Sequence, residues 1–170
     1  MSLPIKDKLV NHYVTKHYLY PKLEKYLIDN NIATRTGMGT EYGIKKIKKY
    51  IELNKKYDKF YILKLDISKY FYSIDHFVLK SLLIDKLDSK EYSIIEKILD
   101  STNEPYINET INKIKNKYNN EEINSLPYYE YGKGLPIGNM TSQFLSIFYL
   151  YKLDHFIVNN LHLKYYIRYM

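Results

Sequence analysis

The sequence predicts an α+β fold: a small antiparallel sheet packed with helices. Two observations carry this. Residues 60–66, Phe-Tyr-Ile-Leu-Lys-Leu-Asp, are short, apolar and aromatic, as strands are. The rest is dominated by apolar residues at helical spacing, until residues 161–170 alternate again. The two alternating segments are expected to be neighbouring strands.

Residues 5–29 read as helix, with Leu9, Tyr13, Val14 and His17 on one face. Pro21 interrupts the run, and Leu23, Tyr26 and Leu27 resume it. A loop with two glycines follows, Arg35-Thr-Gly-Met-Gly-Thr40, with Thr40 as the expected N-cap. The next helix presents Ile44, Ile47, Tyr50 and Ile51, with Lys45, Lys46, Lys48 and Lys49 mostly off that face. In the strand at 60–66, a period of two puts Tyr61, Leu63 and Leu65 toward the core and Ile62, Lys64 and Asp66 on the opposite face. Ser73 is the expected cap of a helix carrying Leu79, Leu82 and Leu83, with Tyr72 stapled to Phe77. Ile94, Ile95, Ile98 and Leu99 mark another helix. Residues 101–126 are Asn-rich and weakly periodic, and read as an insertion with a helical turn near 111–118. Residues 128–137 read as a strand pair around Gly132 and Gly134. A long apolar helix starts at Thr141 or Ser142 and ends at Asn159-Asn160.

Composition narrows the function. The chain of 170 residues is 45% hydrophobic and 26% charged, which fits one globular domain with a real core. No apolar run is long enough to span a bilayer, and the start has no signal-peptide pattern. There are no cysteines, which removes disulfides and thiolate metal sites and suits a cytoplasmic protein. Residues 1–65 hold 14 Lys/Arg against 6 Asp/Glu, whereas residues 66–170 hold 12 against 13. The basic excess therefore sits in the first part. Such a region either tracks a phosphate backbone or is a solvated surface.

Two segments carry chemistry. In Lys64-Leu-Asp66-Ile-Ser-Lys-Tyr-Phe71-Tyr-Ser-Ile-Asp75-His76, a carboxylate at the end of a buried strand calls for a metal or another partner. The alternative is that Asp66 caps the next turn. In Gly134-Leu-Pro-Ile-Gly138-Asn-Met-Thr-Ser142-Gln143, glycines admit close backbone approach and the helix start offers donors to a phosphate or base. The alternative is a turn that caps a core helix. The dipeptides Asp75-His76 and Asp154-His155 lack a second His at ligand spacing and read as structural. Tyr165, Tyr166 and Tyr169 read as packing residues of the last strand rather than base-stacking platforms.

In combination, Asp66 with its aromatic pair, the Gly-Leu-Pro-Ile-Gly-x-x-x-Ser-Gln segment and Lys164-Tyr-Tyr-Ile-Arg-Tyr-Met170 resemble the successive palm motifs of reverse transcriptases of bacterial type. Arg35-Thr-Gly-Met-Gly-Thr40 resembles their fingers motif. Many members have Gln and Pro where this chain has Ile137 and Gln143. That departure resembles the error-prone enzymes of diversity-generating retroelements.

The resemblance implies a partial fingers region at 1–58 and a partial palm at 59–170, with the Asn-rich insertion at 101–126. It implies RNA-templated DNA synthesis with two Mg²⁺ ions, or Mn²⁺ in their place, bound by Asp66 with the Ile67 carbonyl as a further ligand. Phe71 would be the steric gate under the sugar. Ile137, Gly138, Ser142 and Gln143 would line the nucleotide and template pocket. Arg35, Lys45, Lys46, Lys48 and Lys49 would contact phosphates of an RNA template or a DNA or RNA primer. The implied partners are these nucleic acids, dNTPs and an accessory protein, with no membrane. The family's last motif reads Tyr-x-Asp-Asp, and only Tyr169-Met170 of it is in this sequence. The chain by itself is therefore expected not to polymerise. The alternative is a non-catalytic nucleic-acid-binding module of maturase or phage-defence type.

Overall fold

The computed structural model describes residues 4–169. It corrects the α+β expectation. The described residues are 61% helix and 2% strand, with no sheet. Two isolated bridges stand in its place: Asn31 with Arg168, parallel, and Asp75 with Lys133, antiparallel. A strand is stable only when a neighbour accepts its ladder hydrogen bonds and packs its side chains. Residues 59–67 have neither. Among the described residues, no backbone hydrogen bond outside the helices involves them. Tyr61, Leu63 and Leu65, expected in the core, are 93%, 81% and 81% exposed. The expected partner segment is engaged elsewhere: the Arg168 N–H donates to Asn30 O (2.9 Å), and Ile32 N–H donates to Arg168 O (3.0 Å). Met170, the last residue of that expected strand, lies outside the described residues.

The chain opens with α1 (Ile5–Val14), a wide π turn (Thr15–Leu19), α2 (Tyr20–Leu23) and a 3-10 turn (Glu24–Tyr26). Pro21 does not break the run, because it occupies the first turn of α2, where an absent N–H costs nothing. Next comes α3 (Thr40–Asn54). Its N-cap is Gly39 rather than Thr40, and no side chain caps it. It docks shallowly: Gly43 is its one fully buried residue, and the Ile32 side chain lies where a Cβ would stand, at 2.5 Å.

Short α4 (Tyr70–Ser73) leads to α5 (His76–Leu83). Asp75, not Ser73, caps α5 by accepting from Val78 N–H (3.0 Å). Phe77 is 82% exposed, so it forms no staple. A capping box of Asp88 and Glu91 starts α6 (Ser89–Asp100), and Lys22 binds both carboxylates. The Asn-rich stretch holds more helix than the single turn expected near 111–118: α7 (Pro105–Tyr118) and α8 (Glu121–Asn124). Pro105 sits in the first turn of α7, and Asn108 fastens the helix to Tyr129 through its N–H (2.9 Å) and carbonyl (2.8 Å). Residues 128–137 form a loop, not a strand pair. The final helical stretch is α9 (Met140–Tyr149), α10 (Tyr151–His155) and a π turn (Phe156–Asn160).

One apolar cluster joins these helices. It takes Phe144, Leu145 and Phe148 from α9, Leu79 and Leu83 from α5, Ile95 and Leu99 from α6, and Val14, Leu19 and Leu23 from the opening turns. Where α1 meets α9 the seam is polar: Thr15 Oγ1 and Thr141 Oγ1 both donate to Asn11 O, at 2.7 and 3.1 Å. Among the described residues no helix is long and apolar enough to cross a membrane.

Candidate functional site

Two segments that the sequence singled out are bonded to each other. The Leu135 N–H donates to Phe71 O and the Gly134 N–H to Ile74 O, both at 2.8 Å. His76 N–H reaches Gly132 O at 2.9 Å. His76 Nε2 lies 2.6 Å from Gly134 O, and a carbonyl only accepts, so Nε2 carries the proton. The turn that places Phe71 and the loop that leads to Ile137 and Gly138 are therefore one hydrogen-bonded unit. Gly134 (φ +90°) lies against the Tyr129 ring, whose hydroxyl donates to Leu135 O at 3.0 Å. Burial, opposed only by an N–H from Ile137, pushes the Tyr129 phenol up to about 12.

Beyond this unit the surface opens. Ile137 is half-exposed, and Gly138 (φ +95°) has open space where a side chain would stand. Asn139 caps α9 by accepting from Ser142 N–H at 2.6 Å. Ser142 is fully buried with its hydroxyl unpaired, so it faces the interior rather than a ligand at the surface. Gln143 is exposed and lines a cleft of about 190 Å³ with Thr15, Tyr20, Thr34, Met140 and Phe144.

The other expected site residues are less well gathered. Asp66 and Ile67 are exposed and belong to the segment without backbone partners. Among the described residues there is no group of three or more His, Asp or Glu that could hold a metal ion. One exposed carboxylate does not hold a pair of Mg²⁺ ions, so the described residues do not by themselves fit that cofactor.

Arg35 donates through Nη1 to Ile28 O (2.8 Å) and Asn31 O (3.1 Å), and its Nε lies 3.6 Å from Glu24. It staples its own loop instead of facing a phosphate. Lys45 pairs with Glu41 at 2.7 Å, one turn back on α3. Lys46 binds Asp29 O and the Asn30 side chain, and burial holds its ammonium pKa below the usual lysine value. Lys48 and Lys49 are exposed and have no partner among the described residues. They are the part of the basic cluster free to meet a phosphate.

The two Asp-His dipeptides are held in structural contacts. Asp75 caps α5, His76 ties the Gly134 loop, and His155 Nε2 binds Tyr26 O at 2.9 Å. Asp154 belongs to a centre the sequence did not disclose. It is fully buried and receives Arg168 Nε (2.8 Å), Arg168 Nη2 (2.6 Å) and the Tyr166 hydroxyl (2.7 Å). Burial first, then the Asp154 carboxylate, drives the Tyr166 phenol well above its ordinary range. Tyr165 rests on Tyr50 with ring centroids 5.1 Å apart, and Tyr169 bonds Thr40 at 2.9 Å. The signal available in the sequence was that Asp154 stands within the long apolar run that starts at Thr141 or Ser142.

No protein-family model matches the sequence, and no curated protein is similar enough to count as a relative.

Proposed function

We propose that the intact protein to which this chain belongs copies RNA into DNA by nucleotidyl transfer. The observation that supports this is the bonded unit of Phe71, Gly134 and Leu135. It ties the backbone of Phe71, whose ring is partly buried against the core, to the loop that leads to Gly138, where the space for a side chain is open. Asp66, five residues before Phe71, supplies the acidic group of the site. Gln143 faces the template side from its cleft, and Lys48 and Lys49 meet backbone phosphates. In the reaction a primer 3′-hydroxyl attacks the α-phosphate of a dNTP, and pyrophosphate leaves.

The second reading, a nucleic-acid-binding module without catalysis, is favoured by one observation: among the described residues no group of three or more His, Asp or Glu could hold a metal ion. Both readings use Lys48 and Lys49. They part at the residues after Met170, where the resemblance to reverse transcriptases places two aspartates. Sequencing the native reading frame beyond codon 170 tests this. Asp-Asp supports the polymerase. A stop codon or non-acidic residues there would remove it and leave the binding module.

A further inference from the structure

We infer that residues 55–64 are a stacking surface for single-stranded nucleic acid, with Tyr57 and Tyr61 as its rings and the interleaved lysines as its phosphate contacts. The inference rests on the nucleic-acid binding that both readings above share, and not on catalysis. The segment reads Lys-Lys-Tyr-Asp-Lys-Phe-Tyr-Ile-Leu-Lys, four lysines against one aspartate. It follows α3 directly, and every one of its residues is exposed. Tyr57 is 55% exposed and Tyr61 93%. Among the described residues neither ring packs on another ring, and neither hydroxyl has a hydrogen-bond partner. Lys56 Nζ lies 5.2 Å from the centroid of the Tyr57 ring, so a charge for a phosphate stands beside a ring for a base. Lys55 pairs with Glu52 at 2.7 Å, whereas Lys56, Lys59 and Lys64 have no ion pair among the described residues.

Rings this open contribute little to the fold, and their large apolar faces gain from being covered by a partner. A strand of nucleic acid alternates flat bases with anionic phosphates. Every base has a π-face, so rings set among lysines hold such a strand whatever its sequence. A duplex keeps its base faces stacked inside, which restricts this surface to single strands. From residue 59 to 67 the chain has no helix, turn or bend. Extended backbone there carries its side chains along a line, at about 3.3 Å per residue, and a line suits a strand better than a small molecule. A second copy of this chain fits less well, because lysines along an extended edge oppose strand-to-strand pairing.

The test measures binding of the full-length protein to a single-stranded RNA, and to a strand of equal length built of abasic spacers, over a range of salt. The variants are Tyr57→Ala with Tyr61→Ala, and Tyr57→Phe with Tyr61→Phe. Both positions are exposed, so both pairs are expected to melt with wild type. Stacking gives a loss of RNA affinity of about fivefold to a hundredfold for each ring removed. The salt slope of the alanine pair stays at the wild-type value, because no charge has changed. The phenylalanine pair binds RNA as wild type does, and neither pair loses affinity for the abasic strand. Wild-type RNA affinity in the alanine pair would overturn the inference and leave nucleic-acid binding in place. So would an equal loss on the RNA and on the abasic strand. If wild type sediments as a dimer that the alanine pair breaks, with RNA affinity unchanged, the segment is an interface between copies and the inference fails. If wild type binds no RNA, both readings of the function fail and take this inference with them.

Discussion

Gly134→Ala places a methyl group where the structure has no room for one. Its Cβ would stand 2.5 and 2.7 Å from two carbons of the Tyr129 ring. The ring cannot swing away cheaply, since its hydroxyl is bonded to Leu135 O and its face packs on Tyr72 at 4.7 Å. The backbone is held as well, through Gly134 N–H to Ile74 O and Gly134 O to His76. At φ +90° an L side chain costs about 1–2 kcal/mol from backbone sterics alone. Overpacking adds about 1–3 kcal/mol. Gly132 is the internal control: its φ is +73°, but nothing lies within 4 Å of where a Cβ would stand. Gly132→Ala should therefore lose only the backbone cost, and Gly134→Ala about 1–3 kcal/mol more. Urea unfolding of both variants measures the difference. Equal losses would refute the packing account of the Phe71–Gly134 unit.

Alkali should destabilise the fold. Burial raises the phenols of Tyr70, Tyr129 and Tyr166 above the ordinary value of 10.0, Tyr129 to about 12. A raised tyrosine pKa favours the neutral form in the folded state, so its stabilisation is complete below pH 10 and is lost as pH rises toward 12. Melting temperatures from pH 8 upward should hold flat and then fall, and a flat profile through pH 11 contradicts the buried phenols. For nucleic-acid binding, Lys48→Ala with Lys49→Ala should lower the salt slope of log K by about 1.4–1.8, whereas Lys46→Ala should leave it unchanged. An equal effect of Lys46 would show that its bonds to Asp29 and Asn30 do not persist in the complex. If the proposed polymerase has Ile137 in place of a polar group at its nucleotide pocket, Ile137→Gln should reduce misincorporation in primer extension, and unchanged fidelity counts against that role.

What could be read from the sequence was what depends on near neighbours along the chain. Leu79, Leu82 and Leu83, or Phe144, Leu145 and Phe148, recur at helical spacing, and helical hydrogen bonds close within one turn. Residues 60–66 have the pattern of a strand, but a strand is completed by a second segment that no local pattern supplies. Helix α7 was hidden by its asparagines, which are poor helix formers; Pro105 at its start and Asn108 bound to Tyr129 compensate. At the site, Gly134 and Gly138 were legible because their positive φ angles demand glycine. Arg35 was not, since only the folded loop brings the carbonyls of Ile28 and Asn31 to its guanidinium. The Arg168–Asp154 pair was likewise invisible, because two buried charges become a partnership only once their helix and segment meet.

The most direct measurement of the central claim is primer extension on an RNA template by the full-length protein, wild type against Asp66→Asn, with the folded state of both checked by circular dichroism. The polymerase account predicts DNA synthesis by wild type and a loss of about a hundredfold or more in a folded Asp66→Asn. Template binding without extension by wild type, or equal extension by the two proteins, would contradict it.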